Sequence, residues 1–253
     1  MASPTELVTL QETLYRSANP TRRWLHCTRR DWIIKALQRY AHPNGRALEV
    51  GPGSGIYLPT LASLFGQVVA VDIEAAYLRH ASRLRQTLPN LTLMGDDICA
   101  SALPASSFDF ILCTEVIEHI RDSGAALQGM RRLLKPGGVL VLSTPQRYSP
   151  LELTAKIAFL PGIIQLVRQV YREPVLETGH INLMTAHTVR GQLQDAGFGI
   201  VEQHRSCLYL PLIAEFGGQR GLQLLQWCAQ KLREGAGSNL LWTQYYVARA
   251  DGR

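Results

Sequence analysis

The stretch Leu48-Glu49-Val50-Gly51-Pro52-Gly53-Ser54-Gly55 constrains this chain more than any other. It reads as a short apolar strand running into a tight glycine turn. Glycine has no Cβ, so the backbone can bend sharply out of the strand and let a ligand lie against it. Residues 56–65 then read as a helix, and Val68-Val69-Ala70-Val71 as a second strand that ends in the carboxylate of Asp72. Asp72 follows Glu49 by about one strand-helix-strand unit, the spacing at which a carboxylate meets a ribose diol. The turn lacks the dinucleotide pattern G-x-G-x-x-G, because position 56 is isoleucine. That weakens a pyrophosphate reading and leaves open an adenosine-containing ligand without phosphates.

Further segments continue the alternation. Leu91-Thr92-Leu93-Met94 leads into Gly95-Asp96-Asp97-Ile98, and residues 108–113 lead into Thr114-Glu115. Leu133-Leu134-Lys135-Pro136-Gly137-Gly138 turns into Val139-Leu140-Val141-Leu142-Ser143. Such apolar runs suit a parallel sheet covered on both faces. Ligands of these sheets bind beyond the carboxyl ends of the strands, which gathers Glu49, Gly51, Asp72, Asp96, Thr114 and Ser143 around one crevice.

In order and spacing over residues 48–144, these segments resemble the class I S-adenosylmethionine-dependent methyltransferases. The likeness is to the small-molecule type, the branch with ubiquinone, menaquinone and natural-product O-methyltransferases. It implies an α/β Rossmann-like fold: a seven-stranded, mostly parallel sheet with an antiparallel last strand, helices on both faces, and an apolar helical lid. It also implies S-adenosylmethionine as cofactor and S-adenosylhomocysteine as product. Cofactor-binding roles fall on Glu49, Gly51, Gly53, Gly55, Asp72, Ile73, Asp96, Asp97, Ile98, Thr114 and Glu115. By the resemblance, Glu49 lies near the amino-acid part and Asp72 accepts from the ribose. Asp96 fixes adenine, with Asp97 competing for that role, and Ile98 packs on the ring.

A chain of 253 residues supports one substantial core with elaborations. The division expected is residues 1–44 as helices covering the cofactor, 45–144 as the core, 145–180 as the lid, and 181–253 as the rest of the fold with an insertion at 205–237. Cysteines 27, 99, 113, 207 and 228 show neither close pairs nor ligand spacing, which reads as reduced thiols in a cytoplasmic protein. No apolar leader opens the sequence, and no run long enough to span a bilayer occurs.

Residues 4–40 read as two helices broken at Asn19-Pro20-Thr21, since the residue before proline is pushed out of the helical region. Tyr15, Arg16, Arg23, Trp24 and His26 are candidates to reach the cofactor. Between Leu151 and Tyr171 the charges are only Glu152, Lys156 and Arg168, too few for a solvated loop. Three uses fit so apolar a stretch: a roof over the substrate, a dimer surface, or peripheral membrane contact through 151–171. Pro161-Gly162 divides it into two helical pieces. Monomer and homodimer both stay open.

Glu115 and His119 are four apart and would share a face of a helix, with Glu118 adjacent. By the resemblance, Glu115, Glu118 and His119 correspond to a Glu-x-x-Glu-His segment that contributes to a divalent-metal site in certain quinone-precursor O-methyltransferases. The segment also recurs in metal-free relatives, so no metal ligand is assigned. His180 follows the lid and returns to the rim of the crevice, where an imidazole can take a hydroxyl proton as the oxygen attacks. His180, His119 and Glu115 are therefore the catalytic candidates. Thr185 is expected to cap a helix over 186–196 that ends at Gly197.

Residues 199–204 and 240–249 read as the last two strands, paired antiparallel, with a helical segment between them broken at Gly217-Gly218. Tyr209, Phe216, Trp227 and Trp242 are expected in the core or lining an apolar pocket. The net charge of +6 is modest and no Lys/Arg stripe with interleaved aromatics occurs, so no nucleic-acid partner is expected, although the arginines at 16, 22, 23, 29 and 30 keep an RNA methyltransferase as an alternative. The expected substrate is a small, largely hydrophobic phenol, quinone-like ring, polyketide or lipid. O-methylation is favoured by resemblance over N- or C-methylation. A non-catalytic cofactor-binding scaffold is the reading of a different class.

Overall fold

In the computed structural model, residue 6 and residues 11–158, 179–233 and 235–250 are described. The apolar runs become seven strands: β1 (Arg46–Val50), β2 (Gln67–Asp72), β3 (Leu91–Gly95), β4 (Phe108–Thr114), β5 (Leu134–Pro145), β6 (Phe198–Ser206) and β7 (Thr243–Ala250). Their order is β3-β2-β1-β4-β5-β7-β6. β1 pairs parallel with β2 and β4, and β7 runs antiparallel between β5 and β6. The strand order reverses between β1 and β4, and the crevice between their carboxyl ends is where such a sheet binds ligands.

Helices cover both faces: α1 (Pro20–Arg39), α2 (Leu58–Leu64), α3 (Ala75–Ala81), α4 (Ser123–Leu133), α5 (Pro150–Ala158), α6 (Ala186–Asp195), α7 (Pro211–Phe216) and α8 (Gly218–Arg233). Side chains alternate along each strand, so the sheet splits its apolar residues between two cores. Leu48, Val50, Ile111, Leu140 and Leu142 pack with Met130 of α4 and Val189 of α6. Ala47, Phe110, Leu112, Val139 and Val141 pack with Ile33 and Leu37 of α1 and Leu61 of α2. A third cluster joins Leu25, Leu208, Tyr209, Leu225, Leu241 and Trp242, with Leu151 packed against it.

Local signals set the helix ends. Asn19 accepts from the amides of Thr21 and Arg22 and places Pro20 in the first turn of α1. The second helix expected after the break at Asn19-Pro20-Thr21 is thus α1, which starts at the break itself. Thr185 caps α6 through the Thr188 amide, and Gly197 follows at φ +81°. Gly218, at φ +51°, separates α7 from α8, as expected at the glycine pair.

Several expectations change. β5 begins at Leu134 rather than Val139, because Leu134 already pairs with Phe108 across a bulge. Glu115 and His119 do not share a helical face: Glu115 sits at φ +54°, and only Ile117–His119 form a 3₁₀ turn. Tyr209 and Trp242 are buried, whereas Phe216 is 70% and Trp227 59% exposed, since α7 and α8 turn other residues inward. The opening of the first expected helix at residues 7–10 and most of the lid, residues 159–178, lie outside the described residues. Among the described residues no helix is long and apolar enough to cross a membrane.

Candidate active site

At the end of β1, Gly51, Gly53 and Gly55 take φ values of +67°, +53° and +76°, a left-handed run open only to glycine at low cost. The Gly51 amide closes onto the Val71 carbonyl at 2.9 Å, which ties the turn to β2. Above it lies a segment that sequence reasoning placed only loosely. Gln11 Oε1 accepts from the Ser54 amide at 3.0 Å, and a Cβ built on Gly53 would meet the same oxygen at 2.6 Å. Glu12, next in the chain, bonds to His80 and Arg83 across the crevice. The remaining space is about 80 Å³, lined by residues that include Gln11, Tyr15, Arg29, Tyr57, Thr114 and Glu115. Ligand sites are usually about 300–1,000 Å³, so the crevice with Gln11 on its wall is smaller than a typical ligand site.

Glu49 is buried one residue before the end of β1, and its Oε2 has no hydrogen-bond partner among the described residues. Burial pushes its pKa up to about 8. An orphaned buried acceptor beside a glycine cradle fits the ammonium of an amino-acid ligand. Asp72 ends β2 and accepts from the Glu74 amide at 2.8 Å, while burial raises its pKa to about 6 against that bond. Ile73 beside it is 74% exposed at the rim. Asp96 holds Ser101 and the Ala102 amide, and Asp97 caps the next turn through Cys99. Both carboxylates shape the loop itself. Ile98, expected on the adenine ring, is buried in the core with Val69 and Val71, because its turn packs under α4.

Thr114 and Glu115 line the crevice at the end of β4. Glu115 accepts from Ser143 Oγ at 2.8 Å and from Arg29 at 2.6 Å. Arg29 is the cation that sequence reasoning missed: it comes from the middle of α1, and only packing brings it to β4. Burial opposes its charge most strongly, but Glu115 together with Tyr15, Tyr57 and Tyr245 outweighs this and raises its pKa. The other N-terminal arginines turn elsewhere, Arg22 to Glu215, Arg23 to the Ser17 carbonyl, and Arg30 to Asp31.

Glu118, His119 and His180 converge, each offering a ligand atom within 4.8 Å of the others. Their remaining atoms are held. Thr144 Oγ1 donates to Glu118 Oε2 at 2.9 Å, His119 Nδ1 meets the Gly179 carbonyl at 3.2 Å, and His180 Nδ1 meets Glu152 Oε2 at 3.0 Å. Glu118 Oε1 is buried without a hydrogen-bond partner, and burial, helped by Glu115, raises its pKa. The set fits a divalent cation, because ligand atoms of all three residues lie close together while another atom of each is hydrogen-bonded. Its membership differs from the segment that the resemblance implies: Glu115 pairs with Arg29, and His180 lies with Glu118 and His119. Glu152 was legible only as a charge in an apolar stretch. It is buried in α5 and also accepts from Trp242 Nε1 at 3.1 Å.

A model of a methyltransferase domain matches residues 21–203. With that match, the strand order and the glycine cradle point the same way. The chain belongs to the class I S-adenosylmethionine-dependent methyltransferases. It is 28% identical over 191 residues to a probable S-adenosylmethionine-dependent methyltransferase of Mycolicibacterium smegmatis, covering 75% of this chain and 66% of that protein. It is 30% identical over 155 residues to a ubiquinone biosynthesis O-methyltransferase of Paraburkholderia xenovorans, covering 58% and 65%. These matches span just under two thirds of each relative. Phosphoethanolamine N-methyltransferase 2 of Haemonchus contortus, solved with S-adenosyl-L-methionine, shares the fold at a TM-score of 0.63 and 18% identity, covering 99% of this chain and 58% of that one.

Proposed function

We propose that this methyltransferase methylates an oxygen of a small, largely hydrophobic acceptor, with His180 as general base. The observation that carries this reading is the Glu152–His180 pair at 3.0 Å. Glu152 accepts the Nδ1 proton, which leaves Nε2 as the basic nitrogen. Bound S-adenosylmethionine supplies an electrophilic sulfonium methyl and a neutral thioether leaving group. Gly51, Gly53, Gly55, Glu49 and Asp72 would hold the cofactor, with Thr114 and Glu115 beside the methionine end and the loop at Asp96 and Asp97 beside adenine. His180 Nε2 would take the hydroxyl proton of the acceptor during transfer. Alignment of the two partners supplies much of the acceleration.

An apolar acceptor is supported by the scarcity of charges between Leu151 and Tyr171. The named activity of the ubiquinone-type relative agrees with it. The test is transfer of labelled methyl to a panel of phenols and hydroxylated quinone precursors, repeated with H180A. Transfer by wild type that collapses in H180A at unchanged S-adenosylhomocysteine affinity is the expected result, and equal rates overturn the assignment of the base.

One observation favours a second reading. Glu118 keeps one buried, unpartnered oxygen and lies in a cluster with His119 and His180, and a cation held by the three would orient and acidify the acceptor instead.

A further inference from the structure

α7 and α8 pack inward through Ala214, Leu225 and Ala229, yet they carry large apolar side chains on the outside. Leu212 is 76%, Phe216 70%, Leu224 46% and Trp227 59% exposed. On α7, Leu212 and Phe216 stand four apart. On α8, Arg220, Leu224, Trp227 and Lys231 recur at steps of four, three and four, which is one ridge of the helix. Exposed glutamines at 223, 226 and 230 lie beside that ridge.

Charge decides what such a face suits. Residues 218–233 contain Arg220, Lys231 and Arg233, all exposed, and no acidic residue. The one acid of α7, Glu215, turns inward to Arg22 at 2.8 Å and to Asn19 at 3.1 Å. Aromatic and aliphatic side chains flanked by cations, with no carboxylate among them, are the pattern of a helix lying in an anionic lipid interface.

We propose that the outer face of α7 and α8 docks this protein on an anionic membrane surface, with Trp227, Leu224 and Phe216 entering the headgroup boundary and Arg220 and Lys231 meeting lipid phosphates. The proposed contact is confined to α7 and α8. It does not depend on the methyl acceptor, although the inner side of the same helices belongs to the cluster that holds Trp242 against Glu152, so docking would place the site beside the lipid.

The test is sedimentation of the full chain with vesicles of phosphatidylcholine alone and of phosphatidylcholine with about one third phosphatidylglycerol. The expected result is binding to the anionic vesicles that weakens with salt and falls about tenfold or more in L224E/W227E and in R220E/K231E. V201E, at an exposed position on β6, is expected to bind as wild type does. S-adenosylhomocysteine titration and thermal melting confirm that each variant is folded. Absence of anionic binding in wild type, or equal binding by L224E/W227E, overturns the proposal. So does a wild-type dimer in light scattering that W227E turns into monomer, because that assigns the face to a second copy.

Discussion

Glu152 Oε2 lies 3.0 Å from His180 Nδ1, and the other oxygen of the same buried carboxylate takes the indole N–H of Trp242 at 3.1 Å. The pair links α5 to a residue 28 positions later. Burial alone would lower the pKa of His180, but the Glu152 bond and charge, with Glu118 and Glu115 behind, raise it. The free base then appears only above the ordinary imidazole value, roughly 6.5. The acid limb of kcat/KM is expected above that value in wild type and at lower pH in E152Q. H180A is expected to lose about a hundredfold or more. The same shift makes a stability prediction. A raised imidazole pKa stabilises the fold below about pH 6.5 and ceases to do so as pH rises through the raised value. The melting-temperature gap between wild type and E152Q should therefore narrow with rising pH.

Asp72 gives a second pH signature. Its pKa near 6 means that it gives up its charge as pH falls through that value, and a protonated carboxyl is a poorer acceptor for ribose hydroxyls. Calorimetric titration should find S-adenosylhomocysteine affinity falling below about pH 6 in wild type. D72N is expected to bind at least about tenfold more weakly and to show a flatter profile. Unchanged affinity in D72N would remove Asp72 from the cofactor site.

Gln11 competes for the Ser54 amide. A hydrogen bond of this kind has a net value of about 0.5–1.5 kcal/mol, so Q11A is expected to bind S-adenosylhomocysteine roughly two- to tenfold more tightly and to associate faster in stopped flow. Weaker binding by Q11A would make the side chain a ligand contact instead. G53A is expected to lose binding in either case, because its φ of +53° and the approach of Gln11 leave a Cβ no strain-free place.

Chelation separates the two readings of Glu118, His119 and His180. EDTA is expected to leave S-adenosylhomocysteine affinity unchanged, because none of the three lines the glycine crevice, and methyl transfer should persist. Transfer abolished by EDTA, restored by a divalent ion, and lost in E118Q would move His180 from base to ligand. E118Q should also be at least as stable as wild type above neutral pH. Burial raises the Glu118 pKa, so its charged form is disfavoured in the fold and the carboxyl loses stabilising effect as pH rises through that value.

The glycine turn, the carboxylate ending β2, the apolar strands and the cap of α6 were legible in sequence because each rests on local chemistry. A left-handed turn needs glycine, a helix start needs a capping oxygen, and a buried parallel strand needs an unbroken apolar run. These residues also carry the family match. What the tertiary structure decided is which distant side chains meet. Arg29 reaches Glu115 across 86 positions, Gln11 reaches Ser54 across 43, and Trp242 reaches Glu152 across 90. No periodicity encodes such pairs, because the packing angles of α1, α5 and β7 on the sheet set them. Packing likewise moved Glu115 out of the expected helical face and gave its place beside Glu118 and His119 to His180.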